Sequence, residues 1–194
     1  MAQPPQTVAE LLEQLEDRSF QTYKCRIKAF ERIQSRGRAW NTALIALATA
    51  TTVAAVGLLA DQEMYGDSGE TFLAACSILS LAVSLVVASL DYPGRAVRME
   101  SSYKEMQDVS SRIQAARHST GNPTIKDYNQ LYGTYSELVR HSENHTDADL
   151  HARENKWTWP RRGSTALTWL PYVTLVLPGW LFWQFGSWVL SGGS

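Results

Sequence analysis

The chain has 194 residues and a formal net charge of −1 at pH 7, so it could form one domain or two small ones. Its basic residues cluster beside long uncharged runs, where membrane topology and anionic lipid account for them, and we therefore expect no nucleic-acid partner. The first seventeen residues are polar and acidic, and the first apolar run begins near residue 40, which argues against a cleavable signal peptide.

Residues 1–39 are predicted to form a long amphipathic helix on the cytoplasmic side. Thr7 can cap the first turn, and Glu10 stands at the position that completes a capping box. We expect the helix to run from about Thr7 to Arg36, with Gly37 as a candidate break. Apolar residues recur along it at helical spacing and need a partner; they are Val8, Leu11, Leu12, Leu15, Phe20, Tyr23, Ile27 and Phe30.

Residues 40–90 contain two uncharged apolar runs, and the rest of the interpretation depends on them. The runs cover residues 40–60 and 72–90, and each is long enough for a helix to cross a hydrocarbon core of about 30 Å. Core helices of a soluble protein would normally carry polar residues along one face. Here the recurrent polar residues are Thr and Ser, whose hydroxyls a helix can satisfy with its own carbonyls. The pattern favours an all-α membrane protein with a transmembrane helical hairpin.

The link between the two runs is acidic, whereas both flanks of the hairpin are basic. The positive-inside rule predicts that the N-terminus and both flanks lie in the cytoplasm. It places residues 61–71 on the outer side of the cell inner membrane. If several copies surrounded a pore, the acids of the link would form rings at its outer mouth and attract cations; these acids are Asp61, Glu63, Asp67 and Glu70. The alternative is a solvated turn whose acids only follow the topology.

Hydroxyl side chains recur along both spans. In the second span they fall at i, i+3 and i+7, and small residues accompany those of the first span. Such stripes can be packing faces, because small side chains let helices approach closely in lipid. They can also line a wetted pore that several copies form. For that second case the candidate pore-lining residues are Thr49, Thr52, Ser77, Ser80 and Ser84.

Residues 91–156 predict two further amphipathic helices on the cytoplasmic side, followed by a linker. Asp91 follows the second span and is a weaker candidate for the inner mouth of a pore. The helices should cover about Arg95–His118 and Thr124–Ser142, and each carries one apolar stripe. With the N-terminal helix they could form a small bundle or a coil between subunits.

Residues 157–194 begin with an aromatic and basic segment and continue into a third apolar run. The segment is typical of a cytoplasmic membrane interface. Residues 166–190 carry no charge, and we expect them to form a third transmembrane helix with the C-terminus outside. Pro171 and Pro178 should kink or interrupt it. The alternative is a re-entrant or in-plane hairpin.

The sequence contains no catalytic or cofactor-binding motif. Neither an acid nor a base stands at the centre of a span, where catalysis within a membrane usually needs one. We find no Ser-His-Asp or Cys-His arrangement, phosphate loop or zinc spacing. His141 and His145 have a spacing that a metal can use on a helix, but we favour a solvated linker there. We therefore expect neither an enzyme nor a metal site.

The hairpin and its flanks resemble the SLATT family, the SMODS and SLOG-associating two-transmembrane effector domains. The resemblance covers about residues 20–142. It rests on TYKCRIKAFERIQSRGRAWNTALIALATA at the first span, on ILSLAVSLVVASLDYPGRAVRMESSYKEMQDVSSRI at the end of the second, and on the helix DYNQLYGTYSELV. It implies a membrane effector of a bacterial conflict system, often encoded beside nucleotide-signalling proteins and proposed to permeabilise the inner membrane. The third apolar run departs from the two-span plan, and the family supplies no catalytic residues.

Two functions follow as hypotheses. The first is a homo-oligomeric channel or pore-forming effector, because two or three spans cannot enclose a water path alone. A nucleotide signal or a cytoplasmic sensor protein would trigger it. The second is a membrane-anchored scaffold or sensor without a pore. In that case the stripes within Leu11–Phe30 and Met99–Ile113 would be docking faces for a partner.

Overall fold

A computed structural model describes residues 7–119, 121, 123–141 and 169–191. The structure is all-α over these residues, as predicted. The helices are α1 (Val8–Ala60), α2 (Gly69–Ser89), α3 (Tyr92–Arg117), α4 (Ile125–His141) and α5 (Val176–Leu190), and residues 169–174 form a short helix before α5. The chain divides into two compact units. We call Met1–Ile33 with Pro93–Trp159 the bundle unit, and Gln34–Tyr92 with Pro160–Ser194 the membrane unit.

Helix α1 begins with the predicted capping box. The backbone N–H of Glu10 donates to Oγ1 of Thr7 at 3.3 Å, and the N–H of Thr7 donates to Oε2 of Glu10 at 3.1 Å. The predicted break at Gly37 is wrong, because α1 continues through it to Ala60. A Cβ at Gly37 would lie 3.0 Å from Cβ of Tyr92. The glycine therefore serves the close approach of Tyr92 to α1 and does not end the helix.

The bundle unit consists of the first part of α1 packed with α3 and α4. Its core is formed by Leu12 and Leu15 of α1 with Val109 and Ile113 of α3, all buried. Half-buried side chains of α1 and α4 pack against this core; they are Val8, Tyr128, Leu131, Tyr135 and Leu138. Much of the apolar surface of the three amphipathic helices is thus covered within the bundle, as in other helical bundles.

Arg26 is buried inside the bundle unit, with 2% of its surface exposed. Its guanidinium donates to the backbone oxygen of Ser102 in α3 at 3.2 Å and to that of Leu138 in α4 at 3.0 Å. Burial lowers the pKa of Arg26, although Tyr135 and Glu105 oppose the shift. The carbonyl of Leu138 belongs to the last turn of α4, where carbonyls lack partners within the helix and a cation is favourable. Arg26 therefore ties both other helices of the bundle to α1.

The membrane unit consists of the second part of α1, α2, and the third apolar helix. Its core is formed by Ala50 and Ala54 of α1, Leu73 of α2 and Leu181 of α5. The two alanines let the helices come close, which is how apolar helices associate in lipid. Further contacts to this core come from Leu58, Tyr65 and Leu177.

Proline interrupts the third apolar helix, as predicted. Pro178 lies in the first turn of α5, and the turn at Leu175 separates α5 from residues 169–174. Because Pro178 has no N–H, it cannot donate to the carbonyl four residues before it. The N–H of Leu175 instead bonds the oxygen of Tyr172 at 3.2 Å. Trp169–Leu190 is nevertheless long and apolar enough to cross a membrane.

Many large apolar side chains point out of the membrane unit. In the most apolar 18-residue stretch of α1, 28% of the residues are buried. In the corresponding stretches of the helices that begin at Gly69 and at Trp169, 11% of the residues are buried. Ile45, Leu59, Ile78 and Trp183 are among the exposed ones. An apolar surface of this extent needs hydrocarbon around it rather than water. Three helices of the described chain are therefore candidate membrane spans.

Candidate pore residues in the membrane unit

The acidic link between α1 and α2 is a series of tight turns. The N–H of Met64 bonds the oxygen of Asp61 at 3.3 Å, and the N–H of Gly66 bonds that of Glu63 at 2.8 Å. Gly66 has φ = 77°, in the left-handed region that glycine adopts at no steric cost. The link thus closes the hairpin within a few residues, as its glycines predict.

The four predicted outer acids do not share one environment. The carboxylate of Asp61 accepts the N–H of Glu63 at 3.0 Å and the indole N–H of Trp188 in α5 at 2.9 Å. Glu63, Asp67 and Glu70 are exposed, and Glu70 also lines a groove at the start of α2. Asp61 therefore has a structural contact to the third apolar helix, and the other three acids, Glu63, Asp67 and Glu70, are exposed.

The groove lies between the end of α1 and the start of α2 and has a volume of about 420 Å³. Polar side chains of both helices and of the link line it, namely Thr51, Gln62, Glu70 and Ser77, together with Ala55, Leu58, Leu59, Leu73 and Ala74. Of the five predicted pore-lining hydroxyls, Ser77 is the one that this groove contains.

Four of the five candidate hydroxyls donate to carbonyls of their own helices. Oγ1 of Thr49 donates to the oxygen of Ile45 and Oγ1 of Thr52 to that of Ala48, both at 2.8 Å. Ser77 and Ser84 do the same at 2.9 and 2.8 Å. Their protons are therefore used within the helix. The lone pairs of the oxygens remain available to water or to a cation.

The five hydroxyls do not meet on one face of a single chain. Thr49 and Thr52 are exposed on α1, in a stripe with Ile45, Val56 and Leu59 at helical spacing. In α2, Ser77 is exposed, and Ser80 and Ser84 are half-buried. The threonines of α1 and the serines of α2 therefore form two separate sets. The prediction that they line a pore depends on several copies and is not tested by one chain.

Asp91, the candidate for the inner mouth, lies at the corner between α2 and α3. It is exposed and has φ = 44°. Among non-glycine residues, Asp tolerates this left-handed conformation comparatively well. Its N–H bonds the oxygen of Ala88 at 3.2 Å, so the residue ends α2 and lets α3 begin at Tyr92. The structural role of Asp91 at this corner accounts for the residue without any role in a pore.

Sequence reasoning missed three residues of this region. Thr51 lines the groove and donates to the oxygen of Leu47 at 2.9 Å. Tyr65 donates to the oxygen of Leu181 at 3.4 Å, and Trp188 bonds Asp61. A signal existed for Thr51, because it stands one turn before the small residues that face α2. The contacts of Tyr65 and Trp188 depend on the packing of α5, for which the sequence holds no local signal.

No group of three or more His, Cys, Asp or Glu residues that could hold a metal occurs within the described residues. His145 and the rest of the predicted linker lie outside them, as does the side chain of His141. The choice between a metal site and a solvated linker therefore stays a prediction.

The helices that are long and apolar enough to cross a membrane agree with a comparison to known families. The family described as SMODS and SLOG-associating 2TM effector domain family 5 matches residues 8–190. The chain belongs to this family. The resemblance predicted from the sequence is thus confirmed, and the chain is a membrane effector domain. No curated protein and no solved structure matches it.

The match to SLATT family 5 extends beyond the hairpin that gives the family its name. It reaches residue 190 and so includes α5. The third apolar helix, which departs from a two-span plan, therefore lies within the region that matches family 5. Its contacts with Asp61 and Tyr65 join it to the hairpin within the same unit.

Proposed function

We propose that this chain is the effector of a bacterial conflict system and forms an ion-permeable pore in the inner membrane as a homo-oligomer. A nucleotide signal or a partner protein triggers it, and the chain itself is not an enzyme. Membership of SLATT family 5 supports the effector role. The pore, the oligomer and the trigger are parts of the proposal.

The observation that carries the proposal is the exposed stripe of α1. Thr49 and Thr52 lie near the middle of the apolar run and point out of the membrane unit, although their protons bond to α1 itself. Oxygens with free lone pairs at the centre of a span suit a wetted path for cations. If several α1 helices surround an axis with this stripe inward, each copy adds two such oxygens.

In this arrangement the exposed acids, Glu63, Asp67 and Glu70, stand between the outer end of α1 and the start of α2. Repeated around an axis, they favour cations at the mouth. The N-terminus is placed in the cytoplasm and the link outside, in agreement with the distribution of basic residues. Asp61 contributes less, because its carboxylate is engaged with Trp188.

The test is purification in detergent, measurement of the mass, and reconstitution into liposomes that enclose a cation-sensitive dye. We expect a complex of several copies with a central opening, and cation flux once the trigger is supplied. Cysteine placed at Asp67 should react with a membrane-impermeant reagent from outside the cell. A monomer that gives no flux under any stimulus would contradict the proposal.

A second function is favoured by one observation in the bundle unit. Ile125, Tyr132 and Val139 of α4 are exposed and follow one another at intervals of seven residues, so they form an apolar stripe. The stripes predicted as docking faces are not available to a partner, because Leu12, Leu15, Met106 and Ile113 are buried in the bundle. A scaffold or sensor would therefore bind its partner through α4. Loss of partner capture on Tyr132→Ser, with cation flux absent throughout, would favour this function.

A further inference from the structure

A second groove of the membrane unit lies where α1 passes the beginning of the third apolar helix. Its volume is about 430 Å³. Four residues of α1 line it on one side, and Tyr172 and Leu175 line it on the other. The α1 residues follow one another at helical spacing; they are Ser35, Arg38, Ala39 and Thr42. The proposed pore uses none of these residues.

Arg38 gives this groove a positive charge. Residues 32–60 contain three arginines and no acid. Arg38 is exposed, and within the described residues its guanidinium donates to the side-chain oxygen of Gln34, a neutral amide. Over the part of the chain that the structure describes, this neutral partner does not compensate the positive charge of Arg38, and further N–H donors of its guanidinium remain available. The groove therefore favours an anion.

The position of Arg38 along the chain fixes its depth in a membrane. It is the last charged residue before the uncharged run that begins at Ala39, so it lies at the level of the lipid headgroups. Tyr172 stands across the groove, and tyrosine is typical of that level. Deeper along the groove, the walls are formed by Ala39, Thr42 and Leu175, which offer no charge.

We propose that this groove binds one anionic phospholipid, with its phosphate on the guanidinium of Arg38 and an acyl chain along Ala39, Thr42 and Leu175. The planar fork of arginine suits a phosphate, to which it can donate two parallel hydrogen bonds. The apolar lower walls favour a lipid over free phosphate, which would leave them in contact with water. The site depends on the membrane position of α1, and it holds whether or not the chain conducts ions.

The test is native mass spectrometry of the protein released from nanodiscs of phosphatidylglycerol or phosphatidylcholine. We expect the wild type to retain one phosphatidylglycerol and to retain phosphatidylcholine poorly. Arg38→Gln should weaken retention of phosphatidylglycerol roughly tenfold, as expected for the loss of a charge-assisted hydrogen bond. Thr42→Trp should have a similar effect by filling the apolar part, and the exposure of Thr42 allows the larger side chain.

Arg36→Gln is the matched control, because it removes the same charge two residues away and Arg36 does not line the groove. We expect it to retain the lipid. Thermal unfolding of each variant separates loss of the lipid from loss of the fold. Equal retention of the two lipids, equal loss with Arg36→Gln, or competition by glycerol phosphate as strong as that by the lipid would each overturn the proposal. So would a disulfide between two copies of Thr42→Cys, since a second copy would then fill the groove.

Discussion

The indole nitrogen of Trp188 donates a hydrogen bond of 2.9 Å to Oδ2 of Asp61, which joins α5 to the acidic link at the end of α1. The two residues are 127 positions apart in the chain. Asp61, which is predicted to stand at the mouth of a pore, thus also holds the third apolar helix through a hydrogen bond. Tyr65, in the same link, adds a contact by donating to the oxygen of Leu181.

Removal of the Trp188 donor should loosen α5. We expect Trp188→Phe to lower the free energy of unfolding by about 1–2 kcal/mol, because a partly buried carboxylate loses a hydrogen bond. Asp61→Asn should cost less, because an amide oxygen can still accept. The measurement is unfolding in mild detergent, followed by circular dichroism. In a double-mutant cycle with Asp61→Ala the two effects should not add, and the exposed Glu63→Gln should change nothing. Strict additivity would show that this hydrogen bond does not hold α5.

Much of the fold follows from the sequence, because charge and apolar run length are strong local signals. The uncharged runs at residues 40–60 and 72–90 mark where α1 ends and where α2 lies. The predicted break at Gly37 was wrong. It rested on the low helix propensity of glycine, which is a local property. The glycine is explained instead by the close approach of Tyr92 to α1. The bond between Asp61 and Trp188 depends on long-range packing, which no spacing reveals.

The candidate pore residues were harder to predict than the fold. Helical spacing correctly places Thr49 and Thr52 on one face of α1, since that depends on the period of the helix alone. Whether a face is exposed depends on which neighbour covers it. Ser80 and Ser84 are half-buried, although the sequence gives their stripe the same character as the threonines.

Arg26 should be a large contributor to the stability of the bundle unit. Arg26→Met keeps much of the apolar stem but leaves the carbonyls of Ser102 and Leu138 without this donor. We expect a loss of about 2–3 kcal/mol. Arg26→Lys should be intermediate, because one ammonium cannot reproduce the two-armed geometry of the guanidinium. Arg18→Met, at an exposed position of the same helix, is the control and should stay within about 0.5 kcal/mol of the wild type. An equal effect of the two Met variants would contradict the role of Arg26.

The beginning of α4 should respond to acid through Asp127. Its side chain accepts from Oγ1 of Thr124 at 2.7 Å and from the N–H of Thr124 at 2.9 Å, and these bonds lower its pKa below the ordinary 3.8. Because the pKa is lower in the folded state, the carboxylate stabilises the fold above pH 3.8. That stability is lost as the pH falls through the lowered value. Amide exchange at Tyr128 should therefore accelerate in acid.

Asp127→Asn is the variant that tests this cap. It removes the titrating group, so exchange at Tyr128 should become nearly independent of pH once the intrinsic chemical rate is corrected. Asp108→Asn, which removes an exposed carboxylate of α3, should leave the acid response of Tyr128 unchanged. An acid response that survives Asp127→Asn would assign the effect to another group.

The two exposed threonines of α1 should control ion flux if α1 lines the pore. Thr49→Val together with Thr52→Val keeps the shape and removes both oxygens, and we expect the cation flux into liposomes to fall roughly tenfold. Thr51→Val is a matched control, because Thr51 lies on the same helix but lines the groove to α2. Flux that falls with Thr51→Val but not with the double variant would place the path along that groove instead.

Two glycines within helices should respond to alanine with opposite signs. At Gly37 a Cβ would lie 3.0 Å from Cβ of Tyr92, a part of the side chain that cannot swing away, so the neighbouring helix must shift. At Gly133 in α4 a Cβ meets nothing within 4 Å. Alanine stabilises a helix by about 1 kcal/mol relative to glycine at the same position. Gly133→Ala should therefore raise the free energy of unfolding by roughly 0.5–1 kcal/mol. Gly37→Ala should lower it by about 1–2 kcal/mol, because overpacking outweighs the helix propensity. Thermal unfolding in the same detergent compares the two directly, and a stabilising Gly37→Ala would show that Tyr92 does not need the glycine.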